Sequence, residues 1–216
     1  MNITQEKDPG EKLRGISGFD YSSWHIAVQQ AGRLRSLVLG DYSLSFGQGV
    51  LLWTGGTFGK SRNVVGTVSR NERGIRPYGS AGEASGFRGL AFTYGNRFQL
   101  TGFYSNRKRT ASASDSVYVR LPTLSGYHRT LTERNRRNNL SQKTIGGRLR
   151  YLFEKGQVGL TGYTNRFSKP VDSGDLPYQQ YRFSGRRLSG VSADAGFLLN
   201  DAYFFGEAAY TSHGGI

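Results

Sequence analysis

Apolar and polar residues alternate along eight segments of the chain, and short turns join these segments into four pairs. A period of two residues predicts antiparallel β-strands with one apolar face. The second pair is the clearest, because Leu90, Phe92 and Tyr94 share one face just before the turn Gly95-Asn96. The predicted pairs are 19–30 with 34–46, 86–94 with 97–105, 140–153 with 157–167, and 188–199 with 202–212.

Long polar connections separate the four pairs, so short and long connections alternate along the chain. The second of these connections includes a short predicted strand at 117–121. This rhythm, and strands of about nine to thirteen residues, are typical of a transmembrane β-barrel. Aromatic residues near both ends of the strands match the two head-group levels of a membrane. A soluble sandwich shows the same alternation, but soluble β domains keep most connections short.

We therefore predict an all-β fold: an antiparallel, up-and-down transmembrane β-barrel with short turns on one rim and long loops on the other. In that orientation the strands at both ends of the chain finish on the long-loop rim, whereas complete barrels of this class have both termini at the other rim. The prediction is thus a single partial barrel domain over 1–216, with N-terminal and C-terminal parts of the full protein missing. Residues 1–6 are expected to be the tail of a preceding strand.

Composition and charge change this picture in two ways. The mean hydropathy is −0.52 and no apolar run approaches 18 residues, which excludes a transmembrane helix. The net charge of +14 favours anionic partners, namely nucleic acid, lipopolysaccharide or an anionic solute. The chain has no cysteine and no secretory signal at its start.

A glycine-rich apolar segment follows the second predicted strand and differs from the rest of the chain. Its end, Gly59-Lys60-Ser61, suggests a phosphate-binding loop, but Thr54 stands where the Walker pattern requires its first glycine. The segment is instead predicted to fold back over a surface or into the lumen of the barrel. The candidate plug residues are Gly47, Gln48, Gly49, Leu52, Trp53, Gly59 and Lys60.

Charged residues form two further candidate groups. An arginine that faces lipid at mid-membrane costs about 2–4 kcal/mol, so Arg97, Arg148 and Arg150 are predicted to face the lumen. There they bias a pore toward anions, or they pair with Asp194 and Glu207 and hold a plugged lumen together. The basic clusters of the long loops are predicted to contact phosphate groups, with a solvated charge run as the alternative. These clusters contain Arg107, Lys108, Arg109, Arg134, Arg136, Arg137, Arg186 and Arg187.

Several short motifs occur in an order that resembles a known family. They are Glu6-Lys7-Asp8-Pro9-Gly10-Glu11, Gly18-Phe19-Asp20, Gly40-Asp41-Tyr42, Phe46-Gly47-Gln48-Gly49, Leu52-Trp53, Phe58-Gly59-Lys60-Ser61, Gly74-Ile75-Arg76-Pro77-Tyr78, Phe103-Tyr104-Ser105, and Ser125-Gly126-Tyr127-His128-Arg129-Thr130 with Glu133. Over about residues 6 to 170 the chain resembles the large outer-membrane proteins of Bacteroidota that are labelled helix-hairpin-helix domain-containing proteins. The resemblance implies an outer-membrane β-barrel with a role in transport, uptake or secretion. The family's helix-hairpin-helix repeats, similar to those of DNA-uptake proteins, do not occur in this sequence, so no DNA-binding role of those repeats is assigned to these residues.

No enzymatic activity, metal or cofactor is predicted. His25, His128 and His213 share no metal-ligand spacing, and His128 with Glu133 lacks a paired nucleophile. The predicted protein is a non-enzymatic component of the outer membrane. Its expected partners are outer-membrane lipid or lipopolysaccharide, with an anionic solute or DNA for the full-length protein. The competing hypothesis is a soluble basic β protein that binds nucleic acid, its aromatic residues stacking on bases beside basic loops.

Overall fold

A computed structural model describes residues 2–6, 21–54, 68–79, 86–113, 119–120, 138–173 and 182–212. Twelve β-strands occur in these ranges. They are β1 Asn2–Glu6, β2 Tyr21–Ala31, β3 Leu34–Ser45, β4 Gly74–Pro77, β5 Phe87–Gly95, β6 Phe98–Arg109, β7 Ser112–Ala113, β8 Val119–Arg120, β9 Leu140–Phe153, β10 Gly156–Val171, β11 Gly185–Leu199 and β12 Ala202–Thr211. No helix in the described part of the chain is long and apolar enough to cross a membrane.

The strands form one sheet in the order β1-β2-β3-β5-β6-β9-β10-β11-β12, and neighbours along this path are antiparallel. The predicted all-β, up-and-down antiparallel arrangement is confirmed. Closure of the sheet into a ring is not observed: within the described residues no pairing joins β1 to β12. The architecture is therefore an open sheet with two edge strands.

The four predicted strand pairs correspond to β2–β3, β5–β6, β9–β10 and β11–β12, and β1 pairs with β2 as the expected tail of a strand. The prediction missed β4, which lies in the first long connection. Gly74 and Pro77 bound this strand, and both residue types are depleted in strand interiors. β4 lies on the β2 side of β3: the β2–β3 pairing ends at Gly40, and the last residues of β3, Tyr42 to Ser45, pair with β4 there, while Tyr42 still pairs with Phe87 of β5 on the other side.

The apolar core is small and lies toward the long connections. Its main cluster comprises Val38, Tyr42, Leu44, Phe46, Leu52, Ile75, Ala91 and Phe103. A second cluster of Ala111, Val119, Leu140 and Val171 joins β8 to the ends of β9 and β10. Most of the large apolar strand residues lie outside both clusters and are exposed on the surface of the sheet.

Candidate functional site: the inner face and its inserted segment

The strand register divides the side chains into two faces of opposite character. Residues directly opposite each other in neighbouring strands point to the same side, so a face can be followed from β2 to β12. One face, here called the outer face, carries large exposed apolar side chains: Ile26, Val28, Leu39, Leu90, Tyr94, Phe98, Leu100, Tyr104, Ile145, Leu149, Val158, Leu160, Val191, Phe197, Phe204 and Tyr210. The other, the inner face, is buried, and it carries the apolar core residues Val38, Ala91 and Phe103 as well as polar residues. These buried polar residues are Thr101, Ser105, Thr144, Arg148, Thr161, Ser192 and Asp194.

The exposed apolar face distinguishes this sheet from a soluble one, which buries its apolar face and exposes its polar one. The exposed residues are not marginal: Leu160 retains 60% of its accessible surface and Ile145 retains 62%. Between the short turns and Tyr104, Ile145 and Thr164, the outer positions of β5, β6, β9 and β10 include no charged residue. From the short turns to this level, the outer face of these four strands is therefore a continuous uncharged band.

The segment Phe46–Trp53, called the inserted segment from here on, forms a compact loop at the end of β3. The Phe46 amide donates to the Leu52 carbonyl at 3.2 Å, and Trp53 pairs back with Ser45. The loop lies against the far side of the sheet, since the Leu51 side chain contacts Gly190 of β11 closely enough that a Cβ there would be 2.7 Å from Leu51 Cδ1. The inserted segment thus connects the inner faces of β3 and β11, which are five strands apart in the sheet order.

Glu207 of β12 holds the inserted segment by its backbone. Its carboxylate accepts hydrogen bonds from the amides of Gln48 at 2.8 Å, Val50 at 3.0 Å and Leu51 at 3.3 Å. Successive amides that converge on one anion form a concave backbone site for it. Gly47 has φ +54°, and a Cβ there would be 2.8 Å from Glu207 Oε2. Glycine is therefore needed at this position both for the conformation and for the close approach.

Arg148 is the centre of a second contact between the sheet and the first long connection. This arginine is 2% exposed, and it donates to Asp194 at 2.5 and 2.9 Å, to Thr161 at 2.8 Å and to Glu72 at 2.7 Å. The guanidinium carbon also lies 5.5 Å from the ring centre of Phe46. Because a buried charge is strongly unfavourable unless it is paired, these partners explain how Arg148 is tolerated inside the sheet.

Glu72 also faces Arg150, whose Nε lies 3.9 Å from Glu72 Oε2. The cluster of Arg148, Arg150, Glu72 and Asp194 therefore has two charges of each sign. Gln48 of the inserted segment holds the chain just before Glu72, since its side-chain oxygen accepts from the Arg70 amide at 2.8 Å. The inserted segment and residues 70–72 are in this way fixed to the inner face by one continuous polar network.

A cavity of about 1510 Å³ lies on the short-turn side of this network. Its lining extends from the turn residues Asn96 and Arg97 to Asp194 and Glu207. The lining also includes Leu100, Leu149, Leu160 and Phe204, which the register assigns to the outer face, so the cavity is not confined to the inner face.

The predicted site residues are placed as follows. Gly47, Gln48, Gly49, Leu52 and Trp53 belong to the inserted segment. The remaining two plug candidates, Gly59 and Lys60, lie outside the described residues, as do Arg134, Arg136 and Arg137.

The lumen-facing candidates share the inner face, but they do not all pair with one another. Arg148 contacts Asp194, whereas Glu207 contacts backbone amides instead of an arginine. Arg150 donates to the side chain of Gln157. Arg97 is exposed at a short turn.

The loop cations occupy different environments. Arg107 donates to the Gly86 carbonyl at 2.8 Å and Arg109 is partly buried at the end of β6. Lys108, Arg186 and Arg187 are exposed. These loop candidates therefore do not form one cluster within the described part of the chain.

Sequence reasoning missed Glu72, which lies in a stretch that reads as a run of turns. The neighbouring residues Arg70, Asn71 and Arg73 gave no reason to select this carboxylate over the other acidic residues. A buried partner for the inward-facing arginines was expected, but its position depends on how the connection folds. Of the three histidines, His128 and His213 lie outside the described residues, and His25 contacts the Tyr78 carbonyl at 3.3 Å.

Among the described residues no group of three or more His, Cys, Asp or Glu side chains is arranged to hold a metal ion. Comparison of the chain with protein-family models, curated proteins and solved structures gave no match. The features of the sheet that bear on function are its exposed apolar outer face and the polar network of Arg148 and Glu207 on its inner face.

Proposed function

We propose that this chain forms part of the wall of an outer-membrane β-barrel and that the inserted segment occupies the lumen. The observation that carries this proposal is the exposed, uncharged apolar band opposite a buried face that includes charged and polar side chains. In water such a band is unfavourable, because soluble monomers rarely expose contiguous apolar patches above a few hundred Å². In a bilayer the same band is the required surface for contact with lipid.

The height of the band agrees with a bilayer. On β10, ten residues separate Gly156 at the short turn from Arg166, the first charged outer position. At about 3.3 Å per residue this is about 33 Å along the strand. With a strand tilt of about 40° the height is about 25 Å, which is that of the apolar band of outer-membrane barrels.

A lipid environment also sets a requirement for the edges of the sheet. Unpaired backbone groups in hydrocarbon cost several kcal/mol each, so β1 and β12 must be hydrogen-bonded within the membrane. The proposal therefore includes closure of the ring. A closed ring filled by the inserted segment suits a regulated passage in transport, uptake or secretion, with the polar network as the element that must rearrange. Catalysis is not part of the proposal.

Arginine substitutions at two depths of the outer face test this proposal. Leu160 lies near the middle of the band and Leu199 lies beside the short turn between β11 and β12, yet they are 60% and 57% exposed. In lipid, Leu160→Arg is expected to destabilise the protein by about 2–4 kcal/mol and Leu199→Arg by about 0–1 kcal/mol. The measurement is denaturant unfolding of the chain folded into lipid vesicles, followed by tryptophan fluorescence.

Equal effects of the two substitutions, both within about 0.5 kcal/mol, are the result expected of a sheet in water and would refute the membrane assignment. Fractionation provides the matching observation. The membrane protein is recovered in detergent extracts and migrates differently in SDS before and after boiling. Recovery as a soluble monomer would instead lead to the competing hypothesis, a basic β protein whose binding to nucleic acid weakens steeply with salt.

A further inference from the structure

Three cationic residues stand side by side on the outer face at the edge that carries the long connections. Lys143 of β9 lies directly opposite Arg166 of β10, and Arg166 lies directly opposite Arg187 of β11. All three are exposed. We call this set the cationic row. Of its members only Arg187 belongs to the basic clusters noted in the sequence, because the row is formed by the register and not by neighbours in the chain.

The cationic row lacks the neighbouring acidic residues with which other cations of the sheet form ion pairs. Like charges directly opposite each other in neighbouring strands are destabilising. At about the same level of the outer face, Arg88 forms an ion pair with Asp41 at 2.7 Å. No ion pair of this kind is made by the cationic row within the described residues, and the register places no acidic residue beside it. The row therefore has an unmet preference for an anion.

The position of the row identifies the class of anion. Directly below it on the same face the next outer residues are Ile145 and Thr164, and the apolar band continues from there to the short turns. A ligand that matches both surfaces has a phosphate group joined to acyl chains. A nucleic acid held at the row would need aromatic rings on which its bases could stack, but Ile145 and Thr164, directly below the row, are not aromatic.

We infer that Lys143, Arg166 and Arg187 form a binding site for the phosphate groups of an anionic membrane lipid. Neighbouring strands are about 4.8 Å apart, so one phosphate can be contacted by side chains of two strands. Arginine forks suit phosphate oxygens and form the stronger, charge-assisted type of hydrogen bond. This inference rests on the proposed function, since it requires the apolar band to be in the hydrocarbon layer.

The test uses the whole chain folded in detergent and a defined probe, diphosphorylated lipid A, with the dephosphorylated lipid for comparison. The double variant Arg166→Gln with Arg187→Gln removes two charges from the row. Its matched control, Arg33→Gln with Lys155→Gln, removes two exposed charges at the short turns. A basic residue near an anionic lipid surface contributes about fivefold to binding, so the first variant is expected to bind about 30-fold more weakly and the control about as well as the parent.

The outcomes separate this inference from the proposed function. Normal insertion into vesicles with equal lipid A affinity in both double variants overturns the site and leaves the barrel standing. Equal binding of the phosphorylated and dephosphorylated lipids also overturns it, because the phosphate would then contribute nothing. A parent chain that does not insert refutes the barrel and the lipid site together. If that soluble chain binds DNA and the Arg166/Arg187 variant does not, the row serves nucleic acid.

Discussion

Replacement of Glu207 by glutamine tests how the inserted segment is held. The three amides of Gln48, Val50 and Leu51 converge on the two carboxylate oxygens of Glu207. The glutamine side chain keeps one oxygen and places an NH2 group where the other oxygen was. At least one amide then faces a donor, and the remaining hydrogen bonds lose the charge of the acceptor.

The size of the effect follows from these contacts. A hydrogen bond to a charged group contributes about 1.5–3 kcal/mol, whereas a neutral one contributes about 1 kcal/mol. With one bond lost and the other two weakened by about 0.5 kcal/mol each, we expect at least about 2.5 kcal/mol less stabilisation of the segment. Local opening controls amide exchange in such a loop, so the three amides are expected to exchange at least about 70-fold faster.

The assay is hydrogen exchange of the folded chain, read at Gln48, Val50 and Leu51 and at the amides of β9 and β10 as an internal reference. Glu154→Gln is the matched control, because it makes the same chemical change at an exposed turn residue. Unchanged exchange at the three amides in Glu207→Gln would show that the carboxylate does not hold the segment. Faster exchange throughout the sheet would show general destabilisation instead of local release.

Two further predictions concern the buried charge cluster. Arg148→Met leaves Asp194 buried without its cation and leaves Glu72 only the more distant Arg150, so we expect a loss of about 3–5 kcal/mol in denaturant unfolding. Adding Asp194→Leu should restore part of this loss, and strictly additive effects in the double-mutant cycle would show that Arg148 and Asp194 are not coupled. Gly159→Ala places a Cβ against the Arg148 guanidinium and should lower the free energy of unfolding by about 1–3 kcal/mol. In Gly162→Ala the new Cβ would lie 3.6 Å from Val191 Cγ1, so the free energy of unfolding should change by less than about 0.5 kcal/mol. Similar values for the two alanine variants would contradict the placement of Arg148.

The hairpins could be predicted closely because their signals are local. The turn at Gly95-Asn96 and the alternation on either side of it fix both the strand ends and the face of each residue, and β5 and β6 follow that pattern. The inward direction of Arg148 followed from the same alternation. Its partner Glu72 could not be predicted from this alternation. The contact depends on the path of the first long connection, whose sequence has no periodic pattern.

Long-range pairing explains the other differences in the same way. β4 forms because the end of β3 extends beyond its pairing with β2 and needs a partner on that side, which is a property of the sheet and not of the residues Gly74 to Pro77. The expected ion pair of Glu207 was replaced by backbone amides, which are available only because glycine lets the inserted segment turn. The cationic row, finally, becomes visible only when three separate strands are placed in register.

The hold of Glu207 on the inserted segment also bears on the order of folding. Gln48 and Glu207 are 159 residues apart in the chain, whereas the hairpin turns join residues that are close neighbours. Local contacts form early and distant ones late, since the entropy of loop closure must first be overcome. The inserted segment thus has no binding site until β11 and β12 have assembled. The strands of the sheet would therefore pair before the inserted segment binds to the inner face. Each strand pair can then form without the inserted segment already lying against that face.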